Sequence, residues 1–183
     1  MMEESLAGQL LLAAPGLRDP NFARTVVLIG VHGEEGAMGI VLNRPAHVSV
    51  AEAVPQLQGV VAEDEPVFVG GPVQPESVVV LAEFMETSAA GLLLLERIGF
   101  PAADADLEEL ALATVRARVF AGYAGWSEQQ LDAEVDSGDW IIQAPEPNDV
   151  FSETPGELWS NVLTRMGGSY ALIARMPLDP SVN

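Results

Sequence analysis

Residues 25–43 read TVVLIGVHGEEGAMGIVLN and indicate how the chain folds. Two apolar runs rich in β-branched residues, Thr25 to His32 and Met38 to Asn43, flank the segment Gly33-Glu34-Glu35-Gly36. Such runs are typical of strands when turn residues bound them, and glycines that accept a positive φ favour a tight reversal. The segment therefore predicts an antiparallel β-hairpin.

The same strand pattern recurs on both sides of this hairpin. Further strands are predicted at Leu10 to Ala14, Val67 to Val69, Ser77 to Glu83, Gly91 to Ile98, Ala117 to Gly122, Trp140 to Gln143 and Tyr170 to Met176. The apolar runs of the last five predict burial on both faces of the sheet.

Four pairs of residues have the spacing of a helix capping box, in which two side chains satisfy each other's free N–H groups. The pairs are Ser49 with Glu52, Asp106 with Glu109, Ser127 with Gln130, and Thr154 with Glu157. At Ser127 the flanking Trp126 and Leu131 can also form a hydrophobic staple, and Gly138 is expected to end that helix.

Strands and helices alternate without a break in composition, which predicts one α+β domain over residues 1–183. We expect a strongly bent, mainly antiparallel sheet flanked by about four helices. The alternative is that the proline-rich acidic loop from Pro145 to Pro155 separates a small C-terminal lobe.

The charge of the chain restricts its chemistry. Eight basic residues, all arginine, stand against 27 acidic ones, for a formal net charge of −19, and the chain has no lysine or cysteine. Schiff-base chemistry, a P-loop lysine, thiol nucleophiles and thiolate zinc sites are therefore excluded. So negative a surface repels DNA phosphates and anionic lipid, which disfavours direct nucleic-acid binding and favours basic or neutral protein partners.

The N-terminal sequence lacks the pattern of a secretory signal peptide, and no apolar run approaches the roughly 20 residues that a membrane-spanning helix needs. We therefore expect a cytoplasmic protein that does not enter membranes.

No complete catalytic or metal-binding motif is present. His32 and His47 lie in no triad or metal-ligand pattern, so structural roles are expected for both. An acidic run resembles part of a calcium-binding loop; its members are Asp132, Glu134, Asp136 and Asp139. The motif is incomplete, because Ser137 stands where the loop needs glycine and Gln143 where it needs glutamate. The run is therefore interpreted as a solvated helix end. Glu63-Asp64-Glu65 is expected to be a charged loop. We assign no catalytic, cofactor or metal-binding residue.

Three short motifs remain as candidates for function. Gly70-Gly71-Pro72 is interpreted as a tight turn, with an anion-binding backbone as the alternative. Asn43-Arg44 ends a strand, where Arg44 either forms a structural ion pair or receives an anionic ligand. The three tryptophans, Trp126, Trp140 and Trp159, are expected in the core, although Tyr123 and Trp126 can alternatively line a groove opened by the glycines at 122 and 125.

Together these residues resemble the YqgE/AlgH family of bacterial proteins. Four blocks carry the resemblance: Gly8 to Pro15 with Asp19, Phe22 and Arg24; Gly36-Ala37 with Gly39 and Asn43-Arg44-Pro45; Gly70-Gly71-Pro72-Val73; and Gly122-Tyr123-Ala124-Gly125-Trp126 with Gln130, Leu131, Glu134 and Trp140. The chain departs from the family pattern at Ala82, where members often have histidine, and at Gln129, where glycine is usual.

The resemblance implies a bent, barrel-like sheet and the description of transcriptional regulator linked to alginate production in some bacteria. It brings no established enzyme activity and no cofactor. We predict a non-enzymatic regulatory or protein-interaction protein; the alternatives are a direct transcriptional regulator and an acidic-residue, metal-dependent hydrolase or small-ligand binder. The predicted interaction surface comprises Asn43, Arg44, Gly70, Gly71, Pro72, Tyr123, Trp126 and Gln130.

Overall fold

Ten strands form one curved sheet in the computed structural model, which describes residues 4–177. They are β1 (Leu10–Ala13), β2 (Val26–Gly33), β3 (Gly36–Val41), β4 (Pro45–Ser49), β5 (Pro66–Val69), β6 (Val73–Phe84), β7 (Ala90–Leu95), β8 (Ile98–Pro101), β9 (Thr114–Trp126) and β10 (Trp140–Gln143). The main order is β10-β1-β2-β3-β9-β6-β8-β7, and every pair along it is antiparallel. Strand β5 pairs antiparallel with β4 and parallel with β9. The sheet curls into a half barrel, which confirms the predicted fold class.

The hairpin predicted from residues 25–43 is confirmed. Strands β2 and β3 pair antiparallel with Gly33 opposite Gly36, and Gly36 has φ +127°. A Cβ atom at Gly36 would lie 2.2 Å from the carbonyl oxygen of Trp126, so this turn also needs glycine where it meets β9.

Within residues 4–177, six short α-helices and three 3₁₀ turns accompany the sheet. The helices are α1 (Val50–Ala53), α2 (Leu107–Ala113), α3 (Gln130–Asp136), α4 (Pro147–Val150), α5 (Leu158–Met166) and α6 (Gly168–Ile173), and the 3₁₀ turns are Pro55–Leu57, Thr87–Ala89 and Pro155–Glu157. Two predicted caps are confirmed: Ser49 Oγ accepts from the Glu52 amide at 3.2 Å, and Asp106 Oδ1 accepts from the Glu109 amide at 3.2 Å. The Thr154 side chain makes no cap bond, because a 3₁₀ turn precedes α5.

Helix α3 begins differently from the prediction. Its N-cap is Gln129, in the left-handed conformation at φ +60°, and the Ser127 side chain does not cap the helix. Instead Gln130 Oε1 accepts from the Ser127 amide at 3.0 Å, which is the returning half of a capping box. The chain thus places glutamine at a position whose backbone conformation favours glycine.

Replacing Gln129 with glycine is expected to stabilise the protein by about 0.5–1 kcal/mol. A left-handed non-glycine residue costs roughly 1–2 kcal/mol, and the extra freedom of glycine in the unfolded chain offsets part of that gain. Gln129→Ala serves as the control, because it removes the side chain but keeps the Cβ atom and should leave stability near wild type. Urea unfolding of both variants measures the difference, and a glycine variant less stable than the alanine variant would contradict this account.

Two strand predictions are wrong, and one strand has no prediction. Residues 170–176 do not form a strand: α6 occupies Gly168–Ile173, because the run contains helix-forming alanine and leucine. The single strand predicted from Gly91 to Ile98 is instead a hairpin of β7 and β8, which reverses at Glu96-Arg97 with Glu96 at φ +50°. Strand β4 was not predicted, because its polar and proline residues hide the pattern.

The core has three parts, divided by the sheet. The largest lies inside the half barrel under α5 and includes Leu28, Phe120 and Trp159. A second lies on the other face of β1 to β3, under α3, and contains Trp126 and Trp140. The third lies between β6 and β9 on one side and α1 and α2 on the other. All three tryptophans are buried, as predicted.

Candidate functional site

The strand end at Asn43-Arg44 holds the preceding loop in place. Asn43 Oδ1 accepts from the Val26 amide at 3.0 Å, and its Nδ2 donates to the Arg24 carbonyl at 2.9 Å. The Arg44 guanidinium donates to the carbonyls of Asn21 at 2.6 Å and Ala23 at 3.0 Å. Arg44 forms no ion pair within 4.0 Å among residues 4–177. Burial lowers its pKa, and the charge of Asp19 acts in the opposite direction.

The segment Gly70-Gly71-Pro72 lies against the backbone of β9. The Gly70 amide donates to the Ala121 carbonyl at 2.9 Å, and the Gly70 carbonyl accepts from the Val41 amide at 2.8 Å. A Cβ atom at Gly71 would lie 2.1 Å from the carbonyl carbon of Tyr123. The predicted tight turn is not found, because no backbone hydrogen bond closes residues 69–73. The segment instead carries the chain across the backbone of β9, from β5 to β6, which pair with Ala121 on opposite sides.

A carboxylate organises the tryptophan cluster under α3. Glu134 Oε2 accepts from Trp126 Nε1 at 2.7 Å and from Trp140 Nε1 at 3.1 Å. Gln130 Nε2 donates to Glu134 Oε1 at 3.2 Å. The two indole rings pack edge to face with centroids 6.1 Å apart, so Glu134 is a structural acceptor and not part of a solvated helix end.

The eight residues of the predicted surface fall into two groups. Asn43, Arg44, Gly70 and Tyr123 belong to one region, because the Val69 amide donates to the Arg44 carbonyl at 2.8 Å and Gly71 packs on Tyr123. Trp126 lies on the opposite face of the sheet, is 7% exposed, and joins Gln130 through Glu134. Their role as an interaction surface stays a prediction.

An exposed apolar row lies beside the first of these groups, and the sequence did not reveal it. Val69 of β5 and Val78 of β6 both stand opposite Ala121 of β9, so the three side chains share one sheet face. Val69 is 43% and Val78 47% exposed. We call Val69, Ala121 and Val78 the valine row. Only the strand register brings these three side chains together, and no local sequence pattern contains that register.

The two histidines differ in their surroundings. His32 Nδ1 accepts from the Leu6 amide at 2.9 Å, and its Nε2 lies 3.1 Å from Asp132 Oδ1, so the ring links the N-terminal segment to α3. His47 is exposed on β4. In the described range no three His, Cys, Asp or Glu residues are placed to hold a metal ion together.

Residues 4–177 contain no helix with the length and apolar character required to cross a membrane.

Comparison with known proteins extends over nearly the whole chain. A family model described as AlgH-like matches residues 10–171. A UPF0301 protein of Streptomyces coelicolor is 42% identical, with 98% of this chain and 96% of that protein covered. A UPF0301 protein of Mycolicibacterium smegmatis is 40% identical, with 96% and 90% covered.

Two solved structures share the fold. The crystal structure of a protein from Corynebacterium diphtheriae is 30% identical with a TM-score of 0.85, covering 95% of this chain and 94% of that one. The solution structure of the AlgH protein from Pseudomonas aeruginosa is 30% identical with a TM-score of 0.70, covering 97% and 98%. This chain therefore belongs to the AlgH-like family.

Proposed function

We propose that this protein acts without catalysis, by binding a basic segment of another protein at the valine row. The observation that carries the proposal is an apolar row across three paired strands. Val69 and Val78 are about half exposed on either side of Ala121, which packs at the edge of the core under α1 and α2. Half-exposed valines at neighbouring positions of a sheet are the kind of apolar centre that protein interfaces bury.

The surroundings of the valine row support this proposal. Gln74, Pro75 and Glu76 are exposed within the bulge between Val73 and Val78, and they provide a polar rim beside the row. The tight packing of Gly70 and Gly71 on β9 keeps β5 in register, so the row is preformed. Preformed contacts reduce the ordering that binding requires.

The charge of the chain determines the kind of partner we propose. With a net charge of −19, association with a basic protein segment is favoured, whereas DNA phosphates are repelled. A regulatory role would then be indirect, through the bound protein, in the cytoplasm.

Replacing the two valines of the valine row, Val69 and Val78, with threonine is expected to weaken partner binding at least about tenfold. This corresponds to roughly 1.4 kcal/mol. Threonine keeps the shape and strand preference of valine but places a hydroxyl group at the apolar centre. The test first identifies the partner with a photocrosslinking residue at position 78, compared with one at position 31. The purified partner is then titrated against V69T/V78T and against V31T.

Val31 is the matched control, because it is an equally exposed strand valine, at 54%, that lies outside the valine row. V31T should bind like the wild type. If the purified partner binds V69T/V78T as tightly as the wild type, or if position 31 crosslinks it as efficiently as position 78, the proposed site is wrong. A salt-sensitive DNA complex of the purified protein would favour the direct regulator instead.

A further inference from the structure

A cleft of about 360 Å³ opens beside the first residues of β9. Apolar side chains, including Val60, Val61 and Val115, line it together with charged residues, including Glu65, Arg116 and Glu153. A volume of this size is within the range of small-molecule sites. None of its lining residues belongs to the valine row, so the cleft is a separate site.

Arg118 fixes one side of the cleft and has little capacity left for a ligand. Its Nε donates to Glu65 at 3.2 Å, and its Nη1 and Nη2 donate to the carbonyls of Val150 at 3.3 Å and Ser152 at 2.6 Å. Burial lowers the pKa of Arg118, while Glu65 acts to raise it. These bonds attach the chain around Phe151 to β9 and give the cleft a fixed shape.

Arg116 keeps more of its hydrogen-bonding capacity than Arg118. Its Nε donates to Glu83 at 2.6 Å, whereas Nη1 and Nη2 reach only Asn148 Oδ1, both at 3.4 Å. The guanidinium lies over the Phe151 ring, 4.5 Å from its centroid, and the side chain is 38% exposed. Long bonds to one shared oxygen leave the Nη edge of a firmly held guanidinium able to receive a carboxylate.

The cleft also contains a negatively charged side chain, opposite in sign to Arg116. Glu153 is exposed and forms no ion pair with any residue of the described chain. The edge of β9 at Ala117 lines the same cleft. Strand β9 pairs with β5 only at Phe120 and Ala121, and the Ala121 carbonyl faces away from β6, toward Gly70. Because backbone direction alternates along a strand, the Ala117 carbonyl faces the same side.

We infer that this cleft binds a small zwitterion, an α-amino acid with an aliphatic side chain. Its carboxylate binds the Nη edge of Arg116, and its ammonium group binds Glu153 and the edge of β9. The aliphatic side chain packs on Val60, Val61 and Val115. A simple anion is repelled by Glu153 and a simple cation by Arg116, so a ligand that carries both charges is preferred.

The test compares L-leucine with its two half-ligands, 4-methylpentanoate, which lacks the amine, and 3-methylbutylamine, which lacks the carboxylate. Binding is followed by NMR through the methyl signals of Val60, Val61 and Val115. Leucine is expected to bind at least about tenfold tighter than either half-ligand. Inorganic phosphate is the fourth probe, and tighter binding of phosphate than of leucine would show an anion site and overturn the inference.

Glu153→Gln tests the charge arrangement without a change in the fold, because Glu153 is exposed. The variant is expected to weaken leucine binding about tenfold and to leave 4-methylpentanoate binding equal or tighter. Glu157→Gln, also exposed but outside the cleft lining, is the matched control and should behave as the wild type. Unmoved methyl signals with leucine up to roughly 10 mM, or equal leucine binding by E153Q and wild type, overturn the inference.

Discussion

Gly71→Ala is expected to destabilise the protein by at least about 3 kcal/mol, the largest effect of a single methyl group that we predict. Gly71 has φ +153°, and a Cβ atom there would lie 2.1 Å from the carbonyl carbon of Tyr123 and 2.4 Å from the Ala124 amide nitrogen. All these neighbours are backbone atoms, which cannot move aside as the end of a flexible side chain can. The β5–β9 contact must therefore separate, or the variant does not fold.

The control for this prediction is Gly33→Ala, at a glycine with negative or extended φ and no atom within 4 Å of its Cβ position. Its stability should stay within about 1 kcal/mol of wild type. Urea unfolding followed by circular dichroism measures both variants. A Gly71→Ala protein with the stability of Gly33→Ala would contradict the close backbone contact described for β9.

The Gly70-Gly71-Pro72 motif shows what a sequence can predict about a fold of this kind. Glycines next to a predicted strand indicate that the strand ends, and β5 does end at Val69. The tight turn itself is not found, because the segment crosses β9. The glycines do not indicate which backbone they contact, because Tyr123 lies about fifty residues away and the contact depends on the parallel pairing of β5 with β9. Local patterns contain no information about that pairing.

Among helix caps and strands too, the features that neighbouring residues determine could be predicted, and those that depend on the surroundings could not. The caps at Ser49 and Asp106 were predictable because each involves residues at most three positions apart. The sequence does not indicate the turn at Glu96-Arg97, because neither residue is a usual turn former at positive φ. The run from residue 170 fits a strand by its sequence and forms a helix in the structure, because a short apolar run is typical of either element and only its surroundings decide.

In the candidate sites as well, local features could be predicted from the sequence, whereas contacts between distant residues could not. Burial of the tryptophans could be predicted from their size and apolar flanks, whereas the role of Glu134 could not, since its partners come from two different strands. The valine row and the Arg116 cleft depend on the register of β9 with β5 and β6. Both therefore become visible only in the folded chain.

Glu134→Ala is expected to destabilise the protein by about 3 kcal/mol, because two buried indole N–H groups lose their shared acceptor. Trp126 is 7% and Trp140 5% exposed, so water replaces the lost carboxylate poorly. No buried side-chain polar atom lacks a partner in the described residues of the wild-type structure. Urea unfolding followed by tryptophan fluorescence measures the loss of stability.

Glu134→Gln separates the hydrogen bonds from the carboxylate charge. Glutamine keeps one oxygen that can accept from both indoles, so the loss should fall to about 1 kcal/mol, the difference between a charged and a neutral acceptor. Asp136→Ala, an exposed carboxylate on the same helix, controls for the change in helix charge and should lie near wild type. If Glu134→Ala is no less stable than Asp136→Ala, the indole bonds do not hold α3 against the sheet, and the burial of Leu131 in the tryptophan cluster must hold it instead.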